Sequence, residues 1–84
     1  MITTKGCEAC QIMDNIIRRA MYLYGKEVEY EIKDKEELDI EFLKEKHITD
    51  FPTMILYRDN NILFINTGTK TANQVHKDFC IHFD

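Results

Sequence analysis

Apolar residues recur every three or four positions in the first third of the chain. Between Cys10 and Tyr24 they fall on one helical face, and charged or amide side chains fall on the other. This spacing predicts an amphipathic helix over residues 10–24. Gly25 follows directly, and glycine commonly ends a helix because it adopts left-handed backbone conformations at little cost.

An alternating pattern comes next. Val28, Tyr30 and Ile32 are apolar, and the residues between them are charged. A period of two predicts a half-buried strand over residues 28–32. One face of that strand should contact the core and the other should face solvent.

A second helix is predicted after this strand. Asp34 and Glu37 have the spacing of a capping box, in which each side chain bonds to the backbone of the other residue at a helix start. The helix should continue to about Lys46 and is shorter and more polar than the first. Its apolar stripe consists of Leu38, Phe42 and Leu43.

Two apolar runs in the second half of the chain predict a β-hairpin. Residues 53–57 and 62–65 are rich in β-branched and aromatic side chains. The linker between them contains Asn60 and Asn61, and asparagine tolerates the positive φ of a tight turn. We therefore expect two neighbouring antiparallel strands.

The chain is predicted to end on a helix. Thr71 and Gln74 repeat the capping pattern, and the apolar residues that follow at helical spacing are Ala72, Val75, Phe79 and Phe83. Residues 2–4 are the only candidate for a first strand. The predicted class is thus α/β, in the order β-α-β-α-β-β-α.

Composition and charge restrict the function classes. The chain has 84 residues, 44% of them apolar, which is enough for one small domain. Its net charge is −4 and its basic residues are interleaved with acids, so we expect no nucleic-acid partner. It has no apolar run long enough for a membrane span and no secretory signal pattern, so we expect no membrane partner and a cytoplasmic location.

The candidate chemistry lies in Cys7-Glu8-Ala9-Cys10, at the predicted start of the first helix. Residues three apart there share a face, so the two sulfurs can come within bonding range. Because the helix dipole stabilises a thiolate at its N-terminus, Cys7 is the expected nucleophile. Cys10 lies one turn further on and is the expected resolving thiol. Lys5 would favour the Cys7 thiolate and Glu8 would oppose it.

A proline stands at the start of the predicted hairpin. Phe51-Pro52-Thr53 opens the buried strand, and proline is tolerated at the first residue of a strand. A cis bond before Pro52 would turn the backbone sharply.

These motifs together resemble the thioredoxin and glutaredoxin superfamily. The resemblance covers nearly the whole chain: the Cys-x-x-Cys pair, residues 48–53, the hairpin, Gly68 and the last helix follow in the family's order. It implies a thioredoxin-like fold with a four-stranded mixed sheet flanked by helices. It also implies a cis Pro52 facing Cys7 and Cys10.

The resemblance further implies where a substrate binds. Backbone groups beside Pro52 would hold an extended substrate segment, which makes Phe51, Pro52, Thr53 and Gly68 the expected substrate-binding residues. The chain departs from the family between the cysteines, where Glu8-Ala9 replaces the usual Gly-Pro of thioredoxins and Pro-Tyr of glutaredoxins. Residues 67–71 also lack the acid that glutaredoxins typically use for glutathione.

The expected function is thiol–disulfide oxidoreductase. The domain, spanning residues 1–84, would reduce protein disulfides as a monomer with no bound cofactor. A thioredoxin-reductase-like enzyme or glutathione would supply electrons. By analogy with small redoxins, it could serve a reductive enzyme such as ribonucleotide reductase.

Two other interpretations stay open. The first is a zinc-stabilised structural domain, because a C-x-x-C pair is also half of a zinc site. Cys80 and His82 are the candidate additional ligands, although an expected distance of roughly 13 Å from the start of the last helix opposes this. The second is a thioredoxin-fold binding module in which the cysteines are incidental. Cys80 borders the last apolar stripe, and we expect it to be a partly buried, small apolar residue.

Overall fold

The computed structural model describes residues 1–84 and contains one sheet and three α-helices. The strands are β1 (Ile2–Thr3), β2 (Lys33–Asp34), β3 (Thr53–Arg58) and β4 (Asn61–Thr67). The helices are α1 (Glu8–Tyr24), α2 (Ile40–Glu45) and α3 (Ala72–Phe83). The strand order is β2-β1-β3-β4, in which β1 is parallel to β2 and antiparallel to β3. This confirms the predicted α/β fold with a mixed four-stranded sheet.

Helix α1 has the boundaries that its caps dictate. It begins two residues before the apolar stripe because Cys7, in extended conformation, serves as its N-cap. It ends where Gly25, with a φ of 72°, donates its N–H to the carbonyl of Met21. The predicted helix and its C-terminal glycine are confirmed.

The strand predicted over residues 28–32 is wrong in its position. Only Lys33 and Asp34 pair with β1, opposite Ile2 and Thr3. Tyr30 still packs against the core, as the alternation predicted, whereas Ile32 is 43% exposed. Residues 28–32 lie alongside no other strand, and an extended segment becomes part of a ladder only where a partner supplies hydrogen bonds.

The second predicted helix is divided in two. The capping box is present, since the Asp34 N–H donates to the Glu37 carboxylate, but it caps a 3₁₀ turn over Lys35–Glu37. Leu38 then returns to extended backbone, and Asp39 caps α2 separately. Two aspartates that each bond nearby backbone N–H groups offer competing helix starts, and the chain uses both.

The hairpin and the last helix are as predicted. Asp59 and Asn60 form the two-residue turn between β3 and β4, with φ of 51° and 67°. Such positive values fit the right-handed twist of the flanking strands. Thr71 and Gln74 form the predicted capping box at the start of α3.

The core lies where α1, α3 and β3 meet. Its buried members are Met13, Ile17, Ala20, Met54, Leu56, Val75 and Phe79. Each comes from an apolar stripe of α1 or α3 or from β3, so the helices and the central strand bury one shared apolar cluster. None of the helices combines the length and apolar character required to cross a bilayer.

Candidate active site at Cys7 and Cys10

The helix start positions both cysteines. Gly6 has a φ of 70°, which lets the chain turn from β1 into α1. Cys7 is the N-cap, and its Sγ accepts a hydrogen bond of 3.1 Å from the backbone N–H of Cys10. This N–H is one of those at a helix start that lack an intrahelical partner, so the helix itself supplies a donor to the Cys7 sulfur.

Cys7 and Cys10 are joined by a disulfide, with their Cα atoms 5.2 Å apart. Cys7 is half-buried, whereas Cys10, in the first turn of α1, is only 3% exposed. An incoming sulfur can therefore reach Cys7 more easily than Cys10. This difference in exposure is the one needed if Cys7 attacks a substrate disulfide and Cys10 then attacks the resulting mixed disulfide from within the protein.

Backbone groups influence the charge on Cys7 more than the neighbouring charged side chains do. Lys5 and Glu8 are both exposed, and neither forms a salt bridge. Pairs of solvated charges interact weakly, typically by under about 1 kcal/mol. The N-terminal dipole of α1 and the Cys10 N–H are thus the fixed features that favour negative charge on Cys7.

The Pro52 loop lies at the same end of the sheet. Thr53 pairs with Ile2 on the antiparallel strand β1, so the start of β3 adjoins the end of β1 that leads to Cys7. The Phe51–Pro52 bond is cis, as the resemblance implied, and Pro52 is fully buried.

Hydrogen bonds fix the shape of this loop. The Pro52 carbonyl accepts from the Gly68 N–H at 2.8 Å, and the Thr53 hydroxyl donates to the Asp50 carbonyl at 2.7 Å. The structure therefore brings together Pro52, Thr53 and Gly68, three of the four residues expected to bind substrate. All three lie at the cysteine end of the sheet.

Phe51, the fourth expected substrate residue, has two notable features. Its backbone N–H and C=O form no hydrogen bond within the chain. Its ring also lies 5.7 Å from the Lys35 ammonium, a contact that sequence reasoning missed. No local pattern in the sequence signals this contact, because it joins residues that are distant in the chain.

Cys80 and His82 lie on α3 away from this site. Cys80 is an exposed free thiol, so the expectation of partial burial is wrong. It follows Phe79 by one residue, and that step of about 100° carries it off the buried face. His82 stacks on Phe64 with ring centroids 4.6 Å apart. No three His, Cys, Asp or Glu side chains of the chain come together in a way that could hold a metal ion.

The groups with shifted pKa values are not part of the cysteine pair or of the Pro52 loop. Burial, followed by the hydrogen bond to Asp14, raises the pKa of the Tyr30 phenol. The hydrogen bond from Tyr24, and then that from Lys26, lowers the pKa of the Asp84 carboxyl. The same contacts with Asp84 raise the pKa values of Tyr24 and Lys26.

Three solved structures share this architecture. One, described as the structure of a malarial protein, matches with a TM-score of 0.75 at 18% identity over 99% of this chain and 92% of the other. Thioredoxin-2 of the malaria parasite matches with a TM-score of 0.76 at 18% identity over 96% and 78%. The germline-specific thioredoxin Deadhead of Drosophila melanogaster matches with a TM-score of 0.68 at 15% identity over 95% and 74%.

The sequence itself gives no comparable match. No protein-family model matches the chain, and a search of curated proteins found no similar sequence. At such low identities the structural likeness establishes the fold alone. The chain therefore has a thioredoxin-like fold, with a disulfide-forming cysteine pair at the start of its first helix.

Proposed function

We propose that the chain is a thiol–disulfide oxidoreductase that reduces protein disulfides, with Cys7 as the attacking thiol and Cys10 as the resolving thiol. One observation carries the proposal. The more exposed sulfur of a bonded pair caps a helix and accepts a backbone hydrogen bond, while its partner is buried one turn below. A helix N-terminus stabilises a thiolate, the form of cysteine that attacks disulfides.

The reaction would proceed in two exchanges. The Cys7 thiolate attacks one sulfur of the substrate disulfide, forms a mixed disulfide and releases the other substrate sulfur as a thiolate. Cys10, after losing its proton, attacks the Cys7 sulfur and releases the second substrate thiolate. The substrate gains two electrons and two protons, and the cysteine pair is oxidised to the disulfide form that the structure contains.

The Pro52 loop is the proposed substrate platform. A disulfide must present one sulfur in line with Cys7, and this is easiest when the flanking segment lies extended. The unpaired N–H and C=O of Phe51 are the groups available to such a segment, because the Pro52 carbonyl already accepts from Gly68. The Gly68 and Thr53 bonds would hold the loop in place.

The partners form a further part of the proposal. A dithiol that is oxidised in each turnover needs a reductant, which could be a thioredoxin-reductase-like enzyme or glutathione. We place the protein in the cytoplasm as a monomer, with a reductive enzyme such as ribonucleotide reductase as one candidate recipient of electrons. The support for that recipient is analogy with other small redoxins.

A reduction assay tests the proposed activity. We expect the protein, supplied with dithiothreitol, to accelerate reduction of insulin disulfides over dithiothreitol alone. Cys7→Ser should return the rate to that background, because the attacking sulfur is lost. Cys80→Ser is the matched control and should keep the full rate, since Cys80 is exposed on α3 away from the pair. Wild-type activity equal to background would refute the proposal.

A further inference from the structure

The connecting segment that joins β4 to α3, residues 68–71, lies against the Pro52 loop. It leaves the ladder at Gly68, which has a φ of 90° and directly follows Thr67, the last paired residue of β4. The Gly68 N–H donates to the Pro52 carbonyl at 2.8 Å. The position of Gly68 therefore helps to determine where the Pro52 carbonyl lies, and with it the backbone of the preceding Phe51.

Few backbone hydrogen bonds hold this connecting segment. The backbone groups of Thr69 and Lys70 bond to no other backbone group of the chain. The Thr71 N–H donates to the Gln74 side chain, within the capping box of α3. Because a stretch without backbone bonds opens easily, the conformation of the connecting segment depends on side-chain contacts.

Two side-chain hydrogen bonds restrain the connecting segment from different sides. From β4, the Asn66 amide donates to the Gly68 carbonyl at 3.2 Å. Two residues further along the segment, the Lys70 ammonium donates to the Asp78 carboxylate of α3 at 2.6 Å. Both backbone polar groups of Gly68 are thus engaged, and the chain that follows it is anchored to α3.

The Lys70–Asp78 pair is shielded from water. The two side chains are 24% and 13% exposed, and neither forms another salt bridge. The Lys70 ammonium also lies 4.9 Å from the ring centroid of Phe64, which packs against the core. Removing two charges from water costs about as much free energy as their attraction returns, so such a pair adds little net stability. What the pair supplies is a directional contact that fixes where Lys70 lies.

We infer that Asn66, Lys70 and Asp78 are positioning residues for substrate binding. They hold Gly68 where its N–H fixes the Pro52 carbonyl, so that the unpaired N–H and C=O of Phe51 stay in place for an extended substrate segment. The inference rests on the proposed oxidoreductase function and names the residues that set its affinity for protein substrates.

Substrate kinetics test the inference with two test variants, Asn66→Ala and the double variant Lys70→Met/Asp78→Leu. The double variant removes both charges together, so it leaves no unpaired buried charge that would unfold the protein. Each test variant should raise the KM for insulin disulfides by about three- to tenfold with an unchanged kcat, as expected when only binding contacts are lost. The rate at which reduced Cys7 attacks bis(hydroxyethyl) disulfide should stay unchanged, since this small substrate needs no extended platform.

Two control variants separate the position of the segment from other effects. Lys70→Arg keeps the cation and a donor to Asp78, so its KM should be close to that of the wild type. Asn61→Ala removes an exposed asparagine at the other end of β4 and should leave KM unchanged. An active wild type whose KM is unchanged in either test variant would overturn the inference alone. A wild type that reduces no insulin would refute the proposed function as well.

Hydrogen exchange of the Gly68 amide gives a readout that does not depend on activity. In the oxidised, ¹⁵N-labelled protein, we expect this amide to exchange about tenfold faster in both test variants than in the wild type. The amides of Ile55 and Ile65, which are opposite each other in the β3–β4 ladder, should keep their wild-type rates and so show that the sheet is intact. Unchanged exchange at Gly68 would overturn the inference, because the substituted side chains would then not hold Gly68 in place.

Discussion

Cys7 precedes the first turn of α1, and Tyr24 ends the same helix at the opposite end of the molecule. Around Cys7 the geometry is set mainly by backbone: a helix N-terminus, a left-handed glycine and the Pro52 loop fixed by the Gly68 N–H. Around Tyr24 it is set by side chains. The Tyr24 ring packs edge-on to Phe79 with centroids 5.6 Å apart.

The Cys7 end and the Tyr24 end of α1 therefore have different roles. A reacting sulfur needs precise placement and fixed dipoles, which backbone groups supply without rotamer freedom. An apolar cluster instead stabilises the fold through the area that it buries. Substitutions at the Cys7 end should therefore change reactivity with little effect on stability. Substitutions at the Tyr24 end should change stability with little effect on reactivity.

The largest expected loss of stability comes from truncating the largest fully buried side chain of the core, Phe79. Phe79 is 1% exposed, so Phe79→Ala should lower the free energy of unfolding by about 3–5 kcal/mol. Urea denaturation followed by circular dichroism measures the change. Ile81→Ala is the control on the same helix, and it should stay within about 0.5 kcal/mol because Ile81 is 60% exposed. If Phe79→Ala reduced disulfide reduction per folded molecule, the two ends would not be independent.

A smaller effect is expected where α3 starts. The Thr71 hydroxyl accepts from the Gln74 N–H at 3.2 Å, so Thr71→Ala should cost about 0.5–2 kcal/mol of stability. Thr71→Ser retains the hydroxyl and should recover most of the loss in the same urea experiment. Equal losses for alanine and serine would show that the cap contributes nothing measurable.

The smallest expected effect appears only at alkaline pH. Because the pKa of the Tyr30 phenol is raised in the folded state, the unfolded state loses the phenol proton at a lower pH than the folded state does. Its contribution to stability is therefore fully present below about pH 10 and is lost as the pH rises towards the folded-state pKa. Tyr30→Phe should flatten this alkaline decline in the urea midpoint. Identical pH profiles for wild type and Tyr30→Phe would contradict the assignment.

The parts of the fold that sequence predicted well depend on local signals. α1, α3 and the hairpin are each specified by nearby residues: an apolar stripe, a capping box, or a turn whose residues tolerate positive φ. The cysteine pair was also visible, because helix geometry alone places residues three apart within reach of each other.

The parts that were missed depend on distant partners or on competition. Alternation over residues 28–32 correctly placed Tyr30 against the core but wrongly placed Ile32 there. Pairing also required a neighbouring strand that β1 does not supply at these residues. Asp34 and Asp39 can each cap the start of a helix, and no local pattern shows that both do so. Cys80 directly follows the buried Phe79, and the spacing of the apolar stripe does not show whether a residue at its border is buried or exposed.

The central claim is that Cys7 attacks and Cys10 resolves, and intermediate trapping tests it most directly. Reduced Cys10→Ser, mixed with a protein disulfide substrate, should accumulate a mixed disulfide that mass spectrometry of peptides locates at Cys7. Without the resolving thiol this species has no internal route to release. A mixed disulfide located at Cys80, or one trapped through Cys10 in Cys7→Ser with none at Cys7 in Cys10→Ser, would contradict the account.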